Sequence, residues 1–234
     1  MTDVTTRTTV CAFPDTESLA RSVTQRTVEA LTTGLSERGR GVFAVPGGRT
    51  PATFLSHLAH ASLPWENIVV TLTDERWVEA DNPDSNEVMV RRHLLVGPAA
   101  KINLLSLYNG APTPEAGLDD VDRNLSAYSD PFDLVILGMG DDGHIASLFP
   151  GEDTWPHTPA SKQCVAAKGP FGGPPRLSLT LERLLHTRAL IVLATGDKKR
   201  HIWDDAEKKG SAASLPIGAL MDTATCPLAL YWCP

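Results

Sequence analysis

Short, mostly apolar segments constrain the fold of this chain more than any other feature. They lie at Gly41–Val45, Ile68–Thr73, Leu134–Leu137 and Ala189–Ala194. Because their apolar residues hardly alternate with polar ones, these segments are typical of strands that are covered on both faces, as in parallel sheets. Helical patterns separate them, which parallel connections require. The sequence therefore predicts an α/β fold with a doubly wound, mainly parallel sheet and helices on both of its faces.

The length of the chain suits one such unit. The chain has 234 residues, of which 42% are hydrophobic and 21% charged. This size is sufficient for a single α/β domain with a sizeable core, and no break in composition divides the chain. We therefore predict one domain over residues 1–234, arranged as a Rossmann-like three-layer sandwich.

Composition also excludes several classes of partner. A net charge of −7 argues against nucleic acid, so an anionic ligand must be met by local cations. The N-terminal residues contain no apolar signal region, and no segment has the roughly 20 apolar residues of a membrane span. We expect a cytoplasmic protein without a membrane partner. The oligomeric state is not readable from the sequence, and a monomer is plausible.

The four cysteines give no sign of a metal site. They are scattered along the chain without metal-ligand spacing. Reduced thiols are therefore expected. We predict no metal and no organic cofactor.

The segment from Leu134 to Pro150 carries the densest chemistry. Within it, the glycines at 138, 140 and 143 follow a strand with the spacing of a dinucleotide-binding fingerprint. Asp141 and Asp142 would, however, place negative charge against the pyrophosphate that this motif binds. The acid expected about 20 residues further on is also absent. A nicotinamide or flavin site is therefore not expected here.

The same turn offers an acid/base site instead. It combines Asp141, Asp142 and His144 on a glycine-rich turn after a strand, where open α/β sheets bind ligands. The alternative is that the aspartates cap a helix and that His144 fills a polar gap.

Two other strands also end in candidate ligand-binding residues. Residues 46–51 read Pro-Gly-Gly-Arg-Thr-Pro before a helical pattern, an arrangement that turns backbone N–H groups and a helix dipole toward an anion. An ordinary tight turn would also suit the glycines. Asp74-Glu75-Arg76 follows the next strand and is a site candidate, with a solvated loop as the alternative. Ser85 can cap the helix that follows.

Together these stretches resemble a known family. Residues 138–150, Gly-Met-Gly-Asp-Asp-Gly-His-Ile-Ala-Ser-Leu-Phe-Pro, resemble the signature of the 6-phosphogluconolactonases, in a superfamily that includes the glucosamine-6-phosphate deaminases. The loop with Gly47, Gly48, Arg49 and Thr50 resembles the family's phosphate loop, usually Ser-Gly-Gly-Ser/Thr-Thr-Pro. Pro46 replaces its first Ser, and Arg49 replaces its second hydroxyl residue. Asp-Glu-Arg with a downstream Ser-Asn resembles the second motif.

The resemblance assigns two further cations. Arg176 starts a predicted strand, Arg176–Leu181, after a proline-rich loop, and this stretch resembles the third motif, whose Arg is associated with the substrate's phosphate. An ion pair with a surface acid is the alternative for Arg176. Lys199 stands three residues after Gly196, where the superfamily places a phosphate-binding Lys. The implied partner is a small-molecule sugar phosphate.

The activity that the resemblance implies is hydrolysis of 6-phospho-D-glucono-1,5-lactone to 6-phospho-D-gluconate in the pentose phosphate pathway. The chain has no Gly-x-Ser-x-Gly elbow, so a serine nucleophile is not expected. In the simplest mechanism His144 is a general base that activates water. Asp142 or Asp74 would orient the imidazole or the water. Arg76, or backbone amides of the glycine turn, would stabilise the oxyanion.

Two other functions remain open at this point. Glucosamine-6-phosphate deaminases typically carry an Asn-Glu-Pro element after the His, where this chain has Ser147–Pro150. A non-catalytic sugar-phosphate sensor would need a DNA-binding module, for which the N-terminal region leaves no room and the net charge no basic surface. The lactonase interpretation is therefore favoured.

Overall fold

The computed structural model describes residues 8–152, 155, 158–159, 161–209 and 215–234. The strands are β1 (Thr8–Ala12), β2 (Gly41–Val45), β3 (Ile68–Leu72), β4 (Asp74–Arg76), β5 (Asn103–Leu105), β6 (Leu134–Gly138), β7 (Cys164–Ala167), β8 (Arg176–Leu179), β9 (Leu190–Thr195) and β10 (Leu228–Cys233). The α-helices are α1 (Thr16–Arg38), α2 (Arg49–Leu58), α3 (Asn86–His93), α4 (Pro114–Ser126), α5 (Leu181–Leu185), α6 (Asp197–Lys209) and α7 (Pro216–Thr223).

Seven of these strands form one parallel sheet. Its order is β1-β10-β9-β6-β2-β3-β5, and every neighbouring pair is parallel. From β2 the chain moves outward through β3 and β5, and it then continues on the other side with β6, β9 and β10. The change of direction falls between β2 and β6. Open α/β sheets bind ligands at such a switch point.

Helices cover the sheet on both faces, which confirms the predicted α/β fold. Every residue of β2 and of β3 is buried, and this requires protein on both sides of these strands. Helix α1 packs on β2, β6 and β10, while α6 packs on β9 and against α7. The helix cap predicted at Ser85 is confirmed, because its side chain caps α3, and Asp15 caps α1 in the same way.

A second, smaller sheet carries three of the predicted site residues, Asp74, Arg76 and Arg176. Its order is β4-β8-β7 and its strands are antiparallel. Arg76 and Arg176 are register partners in it. The predicted strand at Arg176–Leu181 is shorter in the structure, because Thr180 caps α5 by accepting a hydrogen bond from the backbone N–H of Arg183.

Several short elements were not predicted from the sequence. Among them are strand β1 at the edge of the large sheet, strands β4 and β7, and helices α5 and α7. The segment 8–12 reads Thr-Thr-Val-Cys-Ala and is too short and too polar for a clear strand pattern. Because residues 1–7 lie outside the described part of the chain, a single domain over residues 1–234 stays a prediction.

Two further findings concern membranes and thiols. No helix within the described residues combines the length and apolarity needed to cross a bilayer. All four cysteines are free thiols, and burial raises the pKa of Cys164 to about 12.

Candidate active site

A cavity of about 390 Å³ opens at the carboxyl ends of β2, β6 and β9. Every predicted site residue except Asp142 lines it, namely Gly47, Gly48, Arg49, Thr50, Asp74, Arg76, His144, Arg176 and Lys199. These residues come from the loops after β2 and β6, from the small sheet, and from helices α2 and α6. The fold therefore brings together residues that are as far apart in sequence as 47 and 199.

The glycine loop presents the start of α2 to the cavity. Gly48 is the N-cap residue, with φ +105° and no side chain to cap the helix, so the first N–H groups of α2 remain available to an anion. Gly47 is needed for a different reason, because a Cβ at this position would overlap the side-chain amide of Asn86. The loop is thus fitted closely against the start of α3.

Glu75, a member of the candidate Asp-Glu-Arg triplet to which the sequence assigned no individual role, explains how α3 is held there. Its carboxylate is fully buried. It accepts hydrogen bonds from the backbone N–H groups of Arg76, Asn86 and Glu87, each at 2.7 Å, and from the Ser85 hydroxyl at 2.9 Å. Burial raises the pKa of Glu75, and these four hydrogen bonds oppose that effect. Glu75 therefore fastens the first turn of α3 to β4.

Asn86 completes this connection. It is buried, it lines the cavity, and its side-chain amide donates to the carbonyl oxygen of Asp74 at 2.8 Å. The same side chain packs against Gly47. The Ser-Asn pair downstream of the Asp-Glu-Arg triplet was the sequence signal for Asn86.

The central turn places an imidazole against a carboxylate. Asp142 Oδ1 lies 2.6 Å from Nδ1 of His144 and also accepts a hydrogen bond from the His144 backbone N–H at 3.1 Å. Gly140 permits this approach, because a Cβ there would overlap the His144 ring. Gly143 has φ +80°, and its carbonyl accepts a hydrogen bond from the backbone N–H of Ile217 in α7.

This pairing fixes the protonation pattern of the ring. Burial alone would raise the pKa of Asp142, but hydrogen bonds from the backbone and ring of His144 outweigh it, and the pKa lies below its ordinary value. An ionised Asp142 accepts a proton-bearing Nδ1. Nε2 of His144 is then the ring nitrogen that can accept a proton.

Asp74 has different partners. It is buried, accepts a hydrogen bond from the Ser147 hydroxyl at 2.6 Å, and lies 3.5 Å from Nη1 of Arg176. Burial lowers the pKa of Arg176, while the charge of Asp74 opposes this. Of the two acids that the sequence left open, Asp142 contacts the imidazole and Asp74 contacts a guanidinium group.

The remaining cations of the cavity have no carboxylate partner among the residues that the structure describes. Arg49, Arg76 and Lys199 make no ion pair within 4 Å in the described part of the structure, although Arg76 donates to the carbonyl oxygen of Asp84 at 2.7 Å. Lys198, beside Lys199, instead pairs with Asp141 at 3.1 Å. The cavity of this acidic chain is therefore locally positive. No group of three or more His, Cys, Asp or Glu side chains among the described residues is arranged to hold a metal ion.

Comparison with known proteins agrees with this picture. The chain is 37% identical over 226 residues to a 6-phosphogluconolactonase of Mesorhizobium japonicum, with 95% of this chain and 94% of the relative covered. It is 37% identical over 227 residues to a 6-phosphogluconolactonase of Caulobacter vibrioides, with 94% and 95% covered. The crystal structure of a 6-phosphogluconolactonase from Shewanella baltica OS155 is similar with a TM-score of 0.92 and 31% identity, over 98% of this chain and 99% of that one.

An open parallel α/β sheet carries at its carboxyl edge an Asp–His pair and cations without a carboxylate partner among the described residues, an arrangement typical of proteins that bind anions and perform acid–base chemistry. The sequence profile of the glucosamine-6-phosphate isomerases/6-phosphogluconolactonase family matches residues 14–232. The chain belongs to this family.

Proposed function

We propose that this protein is a 6-phosphogluconolactonase, a carboxylic ester hydrolase that converts 6-phospho-D-glucono-1,5-lactone to 6-phospho-D-gluconate. The names of relatives that match over more than 90% of the chain support this substrate. The observation that carries the proposal is the Asp142–His144 pair, 2.6 Å apart, beside a cavity with cations that have no carboxylate partner within the described part of the chain. This arrangement combines a base for ester hydrolysis with a binding site for a phosphate group.

The phosphate group binds at the start of α2. Gly47, Gly48 and Thr50 supply backbone N–H groups and a hydroxyl at the positive end of the helix. Arg49, Arg176 and Lys199 add positive charge from three different elements. Charge-assisted hydrogen bonds of this kind are about twice as strong as neutral ones.

His144 acts as the general base in the attack of water. Nε2 removes a proton from water while the water oxygen forms a bond to the lactone carbonyl carbon. The carbonyl oxygen becomes an oxyanion. Asp142 keeps the proton on Nδ1 and stabilises the imidazolium that forms.

Collapse of the tetrahedral intermediate opens the ring. The bond between the carbonyl carbon and the ring oxygen breaks, and the imidazolium returns its proton to that oxygen, which becomes the C5 hydroxyl. The carboxylic acid then ionises. His144 ends in its initial state, so no other proton donor is required.

Arg76 is our candidate for stabilising the oxyanion. It lines the cavity and has no carboxylate partner among the described residues, whereas Arg176 shares its charge with Asp74. An unneutralised guanidinium group is worth more to a developing negative charge in a site shielded from water. Asp74, which accepts a hydrogen bond from the Ser147 hydroxyl, holds Arg176 in place.

A direct assay tests the proposal. Purified protein is incubated with freshly prepared 6-phosphogluconolactone, and the release of acid is followed against the spontaneous rate. A parallel reaction contains glucosamine 6-phosphate and measures ammonia. We expect rapid lactone hydrolysis and no ammonia. Stoichiometric ammonia with fructose 6-phosphate, lost in a His144→Ala variant, would support the deaminase instead.

A further inference from the structure

Phe149 is a buried aromatic residue beside the turn of His144. Its side chain is only 7% exposed, and among the described residues it stands outside the cluster of contacting core residues that includes its neighbour Leu148. Buried aromatic side chains normally contribute their area to such a core. The surroundings of the Phe149 ring therefore call for another explanation.

Two functional side chains contact this ring. The ring centroids of Phe149 and His144 are 4.7 Å apart, with an angle of 51° between their planes. The guanidinium carbon of Arg176 lies 6.0 Å from the Phe149 centroid. Both distances fall within the range of aromatic and cation–π contacts. Phe149 thus contacts both the proposed base and a phosphate-binding cation.

The backbone fixes the ring at this place. Before it, the backbone N–H of Leu148 donates to the carbonyl of Ile145 at 2.9 Å, and Leu148 is anchored in the core. The carbonyl of Phe149 itself accepts a hydrogen bond from the indole N–H of Trp155 at 3.0 Å. Pro150 follows and restricts the chain further. The backbone that carries the ring is therefore held beside the turn of His144.

The charges around His144 make this contact significant. During the proposed reaction the imidazole becomes positively charged, and most charged groups that face it are cations. The facing groups are Asp142 on the same turn, Arg176 of β8, Asp74 and Arg76 of β4, Arg49 of α2 and Lys199 of α6. These cations repel the imidazolium, and the carboxylate of Asp142, which contacts Nδ1, offsets part of this repulsion. The π-face of an aromatic ring attracts a cation, so Phe149 offsets another part.

We propose that Phe149 is a positioning residue of the site: its ring holds the imidazole of His144 against Asp142 and stabilises the imidazolium that forms near Arg176. This proposal rests on the proposed function, since that function gives His144 a proton to accept. An aliphatic side chain of similar volume would fill the same space but would lack the π-face.

The test compares Phe149→Leu with Phe149→Tyr, which keeps an aromatic ring. Phe13→Leu is the matched control, because Phe13 makes a ring contact at 5.3 Å with Tyr231 outside the cavity. For Phe149→Leu we expect kcat to fall about fivefold to twentyfold, with KM within about twofold. The acidic limb of the pH–rate profile should move to lower pH by about half a unit, because the charged ring has lost a stabilising contact. Phe149→Tyr should retain most of the wild-type kcat and most of the wild-type pH profile. Phe13→Leu should change neither.

An NMR titration of His144 tests the proposal without a measurement of turnover. The pH midpoint of the His144 ring resonances is measured in the wild-type protein and in Phe149→Leu, or in Phe149→Met should the leucine variant not fold. A downward shift of about half a pH unit supports the proposal. An unchanged midpoint, or equal losses in the Leu and Tyr variants, would overturn it. If the wild-type protein does not hydrolyse the lactone, the proposed function fails, whereas the NMR result still decides whether the ring stabilises the imidazolium.

Discussion

Arginine and lysine side chains are paired differently at the two ends of the strands of the large sheet, called here its amino edge and its carboxyl edge. At the amino edge, the buried Asp133 pairs with Arg38, accepts a hydrogen bond from the Val42 backbone N–H at 2.8 Å, and faces Arg188. Arg188 also pairs with Glu37 at 2.7 Å. At the carboxyl edge, Arg49, Arg76 and Lys199 line a cavity without a carboxylate partner in the described structure.

This difference separates stability from function. A cation that is paired within the protein contributes to folding and has little charge left for a ligand. A cation left unpaired beside a cavity contributes little to folding, but it is available to an anion. Substitutions at the amino edge should therefore change the free energy of unfolding, and those at the carboxyl edge should change catalysis and substrate binding.

The largest effect is expected at the carboxyl edge. His144→Ala removes the proposed base and should lower kcat by about 10²–10⁴-fold, without a comparable loss of stability. The matched control is His186→Ala, because His186 is exposed and binds the carbonyl of Ser129 away from the cavity. Steady-state kinetics on the lactone measures both variants. A His144 variant within threefold of the wild type, after subtraction of the spontaneous rate, contradicts the role of base.

A substitution at the amino edge should change the free energy of unfolding rather than catalysis. Asp133→Ala leaves Arg38 without its buried partner and should reduce the free energy of unfolding by about 3–5 kcal/mol. Asp130→Ala is the control at the same edge. Asp130 pairs with Arg40 at 2.5 Å, but both side chains are exposed, so its loss should cost less than about 1 kcal/mol. Urea unfolding gives both values. Equal losses in the two variants would contradict the assigned role of Asp133.

Lys199 and its neighbour Lys198 give a closely matched comparison, with a smaller expected effect on kinetics. Lys199→Ala should raise KM for the phosphorylated lactone about tenfold to a hundredfold, as expected for the loss of a charge-assisted contact. Lys198→Ala removes the same type of side chain one residue away, where it pairs with Asp141 on the surface. It should change KM by less than about threefold. Similar KM values for both variants would mean that Lys199 does not contact the phosphate.

The smallest expected effect is the change with pH in the stability that Asp142 contributes. Its folded-state pKa lies below the ordinary carboxyl value of 3.8. Its contribution to stability is therefore complete above that value and is lost as the pH falls through the lowered pKa. The stability advantage of the wild type over Asp142→Asn should shrink as the pH is lowered through this range. Thermal unfolding at a series of pH values measures this, and an advantage that grows on acidification would contradict the assigned direction.

Much of the fold was predictable because its signals are local. Strands such as β2 and β6 are continuous apolar runs, and Asp15 and Ser85 are standard N-caps. Strand β1 was missed because its stability comes from pairing with β10, which no local pattern reveals. Arg176 was placed on a strand correctly, but membership of the small antiparallel sheet depends on its pairing with Arg76.

The site was predictable as a set of residues but not as a set of contacts. Sequence order could not decide whether Asp74 or Asp142 meets the imidazole, because both follow strands that end at the same edge of the sheet. Glu75 and Asn86 belonged to the motif that the sequence singled out, but their roles could not be predicted, because these come from burial and from the close fit of Gly47. The catalytic and binding roles, the oligomeric state and the cytoplasmic location stay predictions.

The central claim is that the unpaired cations of the carboxyl edge serve a phosphorylated lactone. The most direct measurement is the ratio of kcat/KM for 6-phosphogluconolactone to that for unphosphorylated gluconolactone, in the wild type and in Lys199→Ala. With more than one charge-assisted contact to the phosphate, we expect a ratio of at least about 10² in the wild type and a ratio about tenfold lower in the variant. Equal values for the two lactones in the wild-type protein would contradict the claim.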